Sequence, residues 1–119
     1  MASHNDLGKH GEDIAAEYLI ALGHKIHVRN WVCGKAEIDI ISQIDNTLCV
    51  IEVKTRSSVT FGLPQDFVTP KKIRLLTNAV NEFIRSRRLE CEVRFDIMAV
   101  TRIGQRYDIE YLPDAFYYF

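Results

Sequence analysis

The 119-residue sequence has few cysteines, and its three thiols, Cys33, Cys49 and Cys91, include no Cys-x-x-Cys pair. An odd number without paired spacing disfavours both a disulfide framework and a zinc knuckle, so reduced thiols are expected. The chain also lacks any apolar run near the ~20 residues that span a bilayer, and its first residues lack the layout of a signal peptide. These absences predict no membrane partner and a cytoplasmic location.

The sequence shows no internal repeat, no low-complexity tract and no linker-like stretch rich in glycine, serine and proline. Its length suits one domain and is too short for two. Hydrophobic residues make up 47% and charged residues 26%, as in average soluble globular proteins, so a packed core is expected. We therefore predict a single domain over residues 1–119, with residues 1–6 flexible.

The chain also lacks an excess of either charge, with 15 basic and 16 acidic side chains and a net charge of -1. Near-neutrality argues against a generic polyanion-binding protein. The charge is segregated, however, because residues 53–89 hold eight basic and two acidic side chains, while the flanking segments are acidic. This basic segment favours nucleic acid, with Lys54 at its start. The predicted phosphate-contacting residues are Arg56, Lys71, Lys72 and Arg74.

The spacing of apolar residues predicts an α/β protein with the element order α-β-β-β-α-β-β. Helical spacing gives way to three short β-branched runs, which are typical of an antiparallel meander. Thr69 and Pro70 then fit a helix cap and a first helical residue. The expected fold is a mixed β-sheet flanked by helices. The predicted elements are a helix over 7–22, strands over 25–32, 36–44 and 47–55, a helix from 70 to about 87, and strands over 92–101 and 106–112.

Two acidic residues and a lysine are placed to meet on the second and third strands. If Asp45 and Asn46 form a two-residue turn, regular pairing outward from the turn sets Asp39 directly opposite Glu52. Like charges placed directly opposite each other are destabilising without a compensating charge. Lys54 emerges on the same side as Glu52 because strand side chains alternate. Two carboxylates and an ammonium favour a Mg²⁺ or Mn²⁺ site, since Mg²⁺ commonly uses one or two protein carboxylates.

The other face of this hairpin supplies the burial that would fix its register. Regular alternation predicts that Ile38 and Ile40 share that apolar face, where they pair with Val53 and Ile51. A slip by one residue would drive the carboxylates into the core. The alternative interpretation is that the acidic and basic residues form cross-strand ion pairs on a solvated face of the sheet, as most such residues do.

Glu12 adds a third carboxylate from the first helix. On a helical wheel it lies at the rim of the apolar stripe, so it can reach inward and bind the metal directly or through water. The alternative is a first-turn glutamate that interacts favourably with the helix dipole. His24 and His27 are expected to have structural or surface roles, because their spacing on a strand puts the two rings on opposite faces.

The residues also carry a family resemblance over most of the chain, from Gly8 to Asp96. The motifs are Gly8-x-x-Gly11-Glu12, Ala16-Glu17-Tyr18-Leu19, Gly23, Arg29-Asn30-Trp31, Glu37-Ile38-Asp39, Glu52-Val53-Lys54-Thr55-Arg56, Phe61-Gly62-x-Pro64, Lys72 and Arg94-Phe95-Asp96. Together they closely resemble the bacterial YraN-like family of uncharacterised small proteins. Two positions depart from the pattern: Ile38 replaces the nominal proline of a nuclease signature, and Ala36 replaces a glycine usual in the family.

That family looks like a restriction-endonuclease-like, PD-(D/E)xK-type nuclease fold related to archaeal Holliday-junction resolvases. The resemblance implies that Asp39, Glu52 and Lys54 fill the nuclease signature with Glu12 as an additional acid, and that the three carboxylates hold Mg²⁺ or Mn²⁺. The implied activity is hydrolysis of DNA, with structured or branched DNA in repair or recombination as the expected substrate. A homodimer is suggested by analogy with resolvases, because cutting two strands together calls for two centres.

Two other classes of function stay open at this stage. The first is a non-catalytic nucleic-acid-binding or assembly module on the same fold. The second is a domain whose acidic cluster merely pairs with Lys54 and Arg56.

Overall fold

A computed structural model describes residues 4–57 and 69–115, with side chains from Leu7 onward. The predicted element order is confirmed, and the predicted ends differ from those in the structure by three residues or fewer. The motif Phe61-Gly62-x-Pro64 lies outside the described residues. The elements are α1 (His4–Ala21), β1 (Lys25–Cys33), β2 (Ala36–Ile44), β3 (Thr47–Arg56), α2 (Pro70–Arg87), β4 (Glu92–Ile103) and β5 (Arg106–Leu112).

The five strands form one sheet in the order β1-β2-β3-β4-β5. The first three strands are antiparallel neighbours, which confirms the predicted meander. β3 and β4 are parallel, whereas β4 and β5 are antiparallel. Because parallel neighbours need a crossover connection, α2 lies between β3 and β4 in the chain. The sheet is therefore mixed, as predicted.

The two helices pack on opposite faces of the sheet, and β3 shows this directly. Leu48 and Val50 belong to the core under α2, while Cys49 and Ile51 belong to the core under α1. Successive strand side chains point to opposite faces, so the sheet separates two apolar layers. No helix among the described residues is long and apolar enough to cross a membrane. The buried hydrophobic side chains of α1 are those of Ala15, Ala16 and Leu19, and those of α2 are Ile73, Leu76, Ala79, Val80 and Phe83.

The start of α2 is fixed by a cap that the sequence predicts. Thr69 has an extended backbone, and its hydroxyl accepts a hydrogen bond from the Lys72 backbone N–H at 3.1 Å. Pro70 follows at the first helical position, where its missing N–H costs nothing. This cap places Lys72 in the first turn of α2, on the side of the sheet that carries Leu48 and Val50.

The turn between β2 and β3 is the predicted two-residue turn. Asp45 has a φ of 51°, a left-handed conformation that aspartate tolerates. Ile44 pairs with Thr47, and regular antiparallel pairing continues outward to Ile40 and Ile51. The predicted register is thus confirmed for these five pairs.

Candidate functional site

β2 and β3 stop pairing immediately before the predicted acidic pair. The ladder ends at Ile40 and Ile51, and the carboxylate of Asp39 accepts a hydrogen bond from the Val53 backbone N–H at 2.8 Å. The predicted direct pairing of Asp39 with Glu52 is therefore wrong. In a continued ladder, a backbone carbonyl of β2 would accept the Val53 N–H. Here the side-chain oxygen of Asp39 accepts it instead, so this N–H keeps the hydrogen-bond partner that a buried N–H requires.

The alternation of side chains along β2 also reverses at this point. Ile38 packs in the core under α2, whereas Ile40 packs in the core under α1, although residues two apart on a regular strand share a face. The prediction that these two isoleucines share one face is wrong for this reason. β1 has a matching irregularity at Asn30, which has a φ of 52° and lies between the paired residues Arg29 and Trp31.

Close packing of α1 on β3 brings the third acidic residue to the same region. A Cβ atom on Gly11 would lie 2.2 Å from Oγ1 of Thr55, so only glycine allows this approach of the helix backbone. The next residue, Glu12, uses its Oε1 to accept hydrogen bonds from Arg29 Nε at 3.1 Å and from Asn30 Nδ2 at 2.9 Å. These donors hold the Glu12 carboxylate over the irregular part of β1.

Glu52 lies on the opposite face and takes its partner from α2. The residue is only 8% exposed, and its Oε1 accepts a hydrogen bond from Nζ of Lys72. Sequence analysis predicted Lys72 as a phosphate contact, whereas the structure places its ammonium on the acidic residue. The compensating positive charge that the carboxylates require is thus supplied by the protein itself.

The three carboxylates interact electrostatically even though they come from three elements. Burial, then the negative charge of Glu52 and, to a smaller extent, that of Glu12 together raise the pKa of Asp39 to about 7. The hydrogen bond from Val53 and the charge of Lys72 lower that pKa but do not cancel the increase. An acidic group with this environment is stabilised by any additional nearby cation, because opposite charge favours the ionised form.

We define the acidic cluster as Glu12, Asp39 and Glu52. The remaining predicted site residues lie on β3, which carries Glu52, and on α2, which carries Lys72. Lys54 is partly buried, and the unbroken β3–β4 register keeps it on the same face as Glu52. Arg56, also partly buried, ends β3. Lys71 and Arg74 are exposed on the first turns of α2.

The acidic cluster has the ligand type of a divalent-cation site but not its assembled geometry. Among residues 4–57 and 69–115, no three acidic, histidine or cysteine side chains form a group that could hold a metal ion as they stand. Each carboxylate is directed at a protein donor instead: Val53, Lys72, or the Arg29 and Asn30 pair. The donor chemistry still suits Mg²⁺, which prefers oxygen ligands and needs only one or two carboxylates beside its waters.

A second polar cluster, which sequence analysis did not identify, lies under α1 at the turn end of the sheet. Asp96 is fully buried and accepts hydrogen bonds from Arg94, from the Tyr111 hydroxyl and from the backbone N–H of Asp114. Its charge raises the pKa of Arg94 through their hydrogen bonds. Because one donor follows β5, this cluster fastens the chain after the last strand. The sequence signals for it are an aspartate within the apolar run of β4 and the motif Arg94-Phe95-Asp96, whose two charged residues form this ion pair.

The two histidines have the structural roles predicted for them. His24 is buried, and its Nδ1 lies 2.9 Å from the Ser42 hydroxyl. His27 bonds Gln43 at 2.8 Å and packs edge-on against Phe83 of the α2 layer. Their rings therefore lie on opposite faces of the sheet, as expected.

Fold and site together define an α/β protein with an acidic cluster and adjacent lysines where two central strands diverge. The model of the uncharacterised protein family UPF0102 matches residues 11–100. The chain belongs to this family, which confirms the expectation of an uncharacterised bacterial family.

Relatives from three bacteria match over essentially their whole length. The UPF0102 protein of Flavobacterium psychrophilum is 56% identical over 119 residues, covering 100% of both chains. That of Flavobacterium johnsoniae is also 56% identical, over 123 residues and 100% of both chains. That of Phocaeicola vulgatus is 47% identical, covering 98% of this chain and 97% of its own.

Proposed function

We propose that this protein is a metal-dependent nuclease that hydrolyses phosphodiester bonds of DNA with Mg²⁺ or Mn²⁺. The observation that carries the proposal is the electrostatic interaction of Asp39 with Glu52 and Glu12 at the point where β2 and β3 diverge. An acidic group whose pKa is raised by burial and by neighbouring carboxylates, as that of Asp39 is, is characteristic of functional sites. The expected substrate is structured or branched DNA, in repair or recombination.

The fold proposed with this activity is the restriction-endonuclease-like fold. Its support is the order α-β-β-β-α-β-β in a mixed sheet, with helices on both faces and α2 crossing between two parallel strands. Glu12 approaches from the α1 face and Glu52 from the α2 face, and both interact electrostatically with Asp39, where β2 and β3 stop pairing. A fold alone does not establish an activity, so the proposal depends on the site.

Each residue of the proposed site has a distinct role. Asp39 and Glu52 would hold the cation, with Glu12 binding it directly or through water. A cation held by these carboxylates would supply Lewis-acid chemistry, by lowering the pKa of a water molecule and by neutralising charge on a phosphate. Lys54 would orient that water or stabilise negative charge that develops on the phosphoryl oxygens. Arg29 and Asn30 hold Glu12 in place through the hydrogen bonds described above.

Charge segregation supports nucleic acid as the substrate despite the net charge of -1. The segment 53–89 begins beside Glu52 and carries eight of the 15 basic side chains. Arg56, Lys71 and Arg74 are the proposed phosphate contacts around the acidic cluster. Binding that depends on such contacts weakens steeply as the salt concentration rises.

A second candidate is a nucleic-acid-binding or assembly module without catalysis. The ion pair between Lys72 and Glu52 favours it, because that ammonium already compensates the carboxylate that would otherwise bind a metal. Under this alternative, DNA binding would be sensitive to salt but independent of divalent cations.

Purified protein incubated with single-stranded, duplex, flap and four-way-junction DNA, in Mg²⁺, Mn²⁺ or EDTA, separates the two candidates. We expect metal-dependent cleavage by the wild type and its loss in Asp39→Asn and Lys54→Ala. Asp45→Asn and Lys25→Ala are matched controls, because both residues are exposed at the turn end of the meander. Well-folded wild type that cleaves none of these substrates would exclude the nuclease, and salt-sensitive binding that persists in EDTA would then support the module.

A further inference from the structure

Lys72 contributes to two features of the structure at once. Its ammonium bonds Glu52, and its side chain is 33% exposed. The same side chain lines a cavity of about 310 Å³ between the β1–β2 turn and the first turns of α2. Lys35 and Lys71 line this cavity as well, together with Glu37 and the apolar Leu75 and Leu76.

The two residues of the Lys72–Glu52 ion pair differ in mobility, and only Lys72 can move out of the pair. Glu52 is nearly buried and fixed in the middle of the sheet, whereas Lys72 has a long flexible side chain on an exposed helix turn. A lysine ammonium rotates on a four-carbon stem, so it can leave Glu52 for the cavity without any backbone movement. The carboxylate cannot follow it.

Binding of a divalent cation through Oε1 of Glu52 would require this rotation. Oε1 of Glu52 is the atom that accepts from Lys72. A cation beside Asp39 and Glu52 would repel the ammonium and would supply more charge than Lys72 does. The two cations therefore compete for one acidic position.

We propose that Lys72 is an internal counter-ion that a divalent cation displaces from Glu52, and that the released ammonium then binds a phosphate of a nucleic-acid strand in the adjacent cavity. The inference rests on the proposed function, since it needs the acidic cluster to bind metal. In the metal-free protein, Lys72 neutralises Glu52. In the metal-bound protein, Lys72 binds a phosphate. Metal and nucleic acid then strengthen each other's binding, because coupling between two sites is reciprocal.

Titration of Mn²⁺ into DNA-free protein, followed by the electron paramagnetic resonance signal of the unbound ion, tests the competition without any activity assay. We expect Lys72→Met to bind Mn²⁺ roughly tenfold more tightly than the wild type, equivalent to about 1.4 kcal/mol. Lys72→Arg keeps the charge and should bind no more tightly than the wild type. Lys25→Met, at an exposed lysine at the far end of β1, should leave the affinity unchanged.

The outcomes separate this inference from the proposed function. If the wild type binds Mn²⁺ and Lys72→Met binds it with equal or lower affinity, the counter-ion role is excluded while the metal site stands. If neither protein binds Mn²⁺, both proposals fail. Lys72→Gln, which keeps a hydrogen-bond donor without the charge, replaces Lys72→Met if circular dichroism shows that the methionine variant is unfolded.

The second half of the inference is measured with duplex DNA in Ca²⁺ and in EDTA. We expect Ca²⁺ to strengthen binding by the wild type several-fold and to strengthen binding by Lys72→Met much less, because only the wild type releases an ammonium. An equal effect of Ca²⁺ on both proteins would overturn the phosphate role of Lys72.

Discussion

The carboxylate of Asp39 accepts a hydrogen bond from the backbone N–H of Val53 at 2.8 Å, with Asp39 one residue and Val53 two residues beyond the last β2–β3 pair. This single hydrogen bond makes the divergence of the two strands tolerable, because it satisfies an amide that the ended ladder leaves without a backbone acceptor. It also holds an acidic group beside Glu52 in a partly buried position. The same residue thus supports the fold and forms the centre of the proposed site.

Asp39→Asn is expected to stabilise the metal-free protein increasingly as the pH rises. The pKa of Asp39 is about 7 in the folded state against 3.8 for the ordinary group, so between these values only the folded state keeps the proton. The free energy of unfolding of the wild type therefore falls by up to about 1.4 kcal/mol per pH unit from this group, and the loss is complete above pH ~7. Asparagine can still accept the hydrogen bond from the Val53 N–H. Because it does not ionise, the variant does not show this fall in the free energy of unfolding.

Urea unfolding in EDTA at pH 5 and pH 8 measures this effect as the difference between variant and wild type. Asp45→Asn serves as the control, because Asp45 is exposed in the hairpin turn. A stability difference between Asp39→Asn and wild type that is the same at both pH values would contradict the burial and charge repulsion assigned to Asp39.

Gly11→Ala is expected to destabilise the protein by about 1–3 kcal/mol, the range typical of overpacking. The new Cβ atom would lie 2.2 Å from Thr55 Oγ1 and 2.9 Å from Thr55 Cβ, so α1 would have to move away from β3. That movement would also shift Glu12, and we expect weaker Mn²⁺ binding beside the loss of stability. Thermal and urea unfolding give the stability change.

Gly8→Ala in the same helix is the matched control. A Cβ atom there meets nothing within 4 Å, so alanine should stabilise the helix by roughly 0.5–1 kcal/mol. If both substitutions had the same effect, the close approach of α1 to β3 at Gly11 would be disproved.

Asp96→Asn is expected to cost about 3 kcal/mol of stability, because removing one partner of a buried ion pair leaves the other charge uncompensated. Asp96 is fully buried and Arg94 is 30% exposed, which puts the loss at the lower end of the range for buried pairs. The Asp114 contact after β5 should loosen as well. Hydrogen exchange of the Asp114 and Ala115 amides reports that loosening.

Asp108→Asn provides the comparison for this change. Asp108 pairs with Arg106 on an exposed part of β5, and such pairs contribute little. We expect its unfolding free energy to stay within about 0.5 kcal/mol of the wild type. A similarly small effect for Asp96→Asn would show that the buried cluster does not fasten the chain end.

Local sequence patterns were sufficient to predict the elements and part of the register. The β-branched apolar run of β3 and the helical stripe of α2 are short-range properties, and the Thr69-Pro70 cap involves neighbouring residues only. The two-residue turn at Asp45 then dictated which residues of β2 and β3 pair near it. These features need no knowledge of distant contacts, which explains why they were predicted correctly.

Regular alternation failed at Asp39 because the strand is irregular there. On the neighbouring strand, Asn30 of β1 lies between the partners of Ile38 and Ile40, adopts a left-handed conformation and donates to Glu12 of α1. No pattern within β2 indicates these features, because they belong to two other elements. The acidic residues were identified from the sequence, but the way they approach one another was not.

The sequence by itself determined the order of the elements, the meander and the identity of the acidic residues, because these follow from local periodicity, turn chemistry and motif. Only the tertiary structure decided that Lys72 pairs with Glu52, 20 residues away, and that Asp96 binds the chain after β5. Long-range partners are chosen by how helices pack on the two faces of the sheet. That packing depends on the whole core, so no local pattern specifies it.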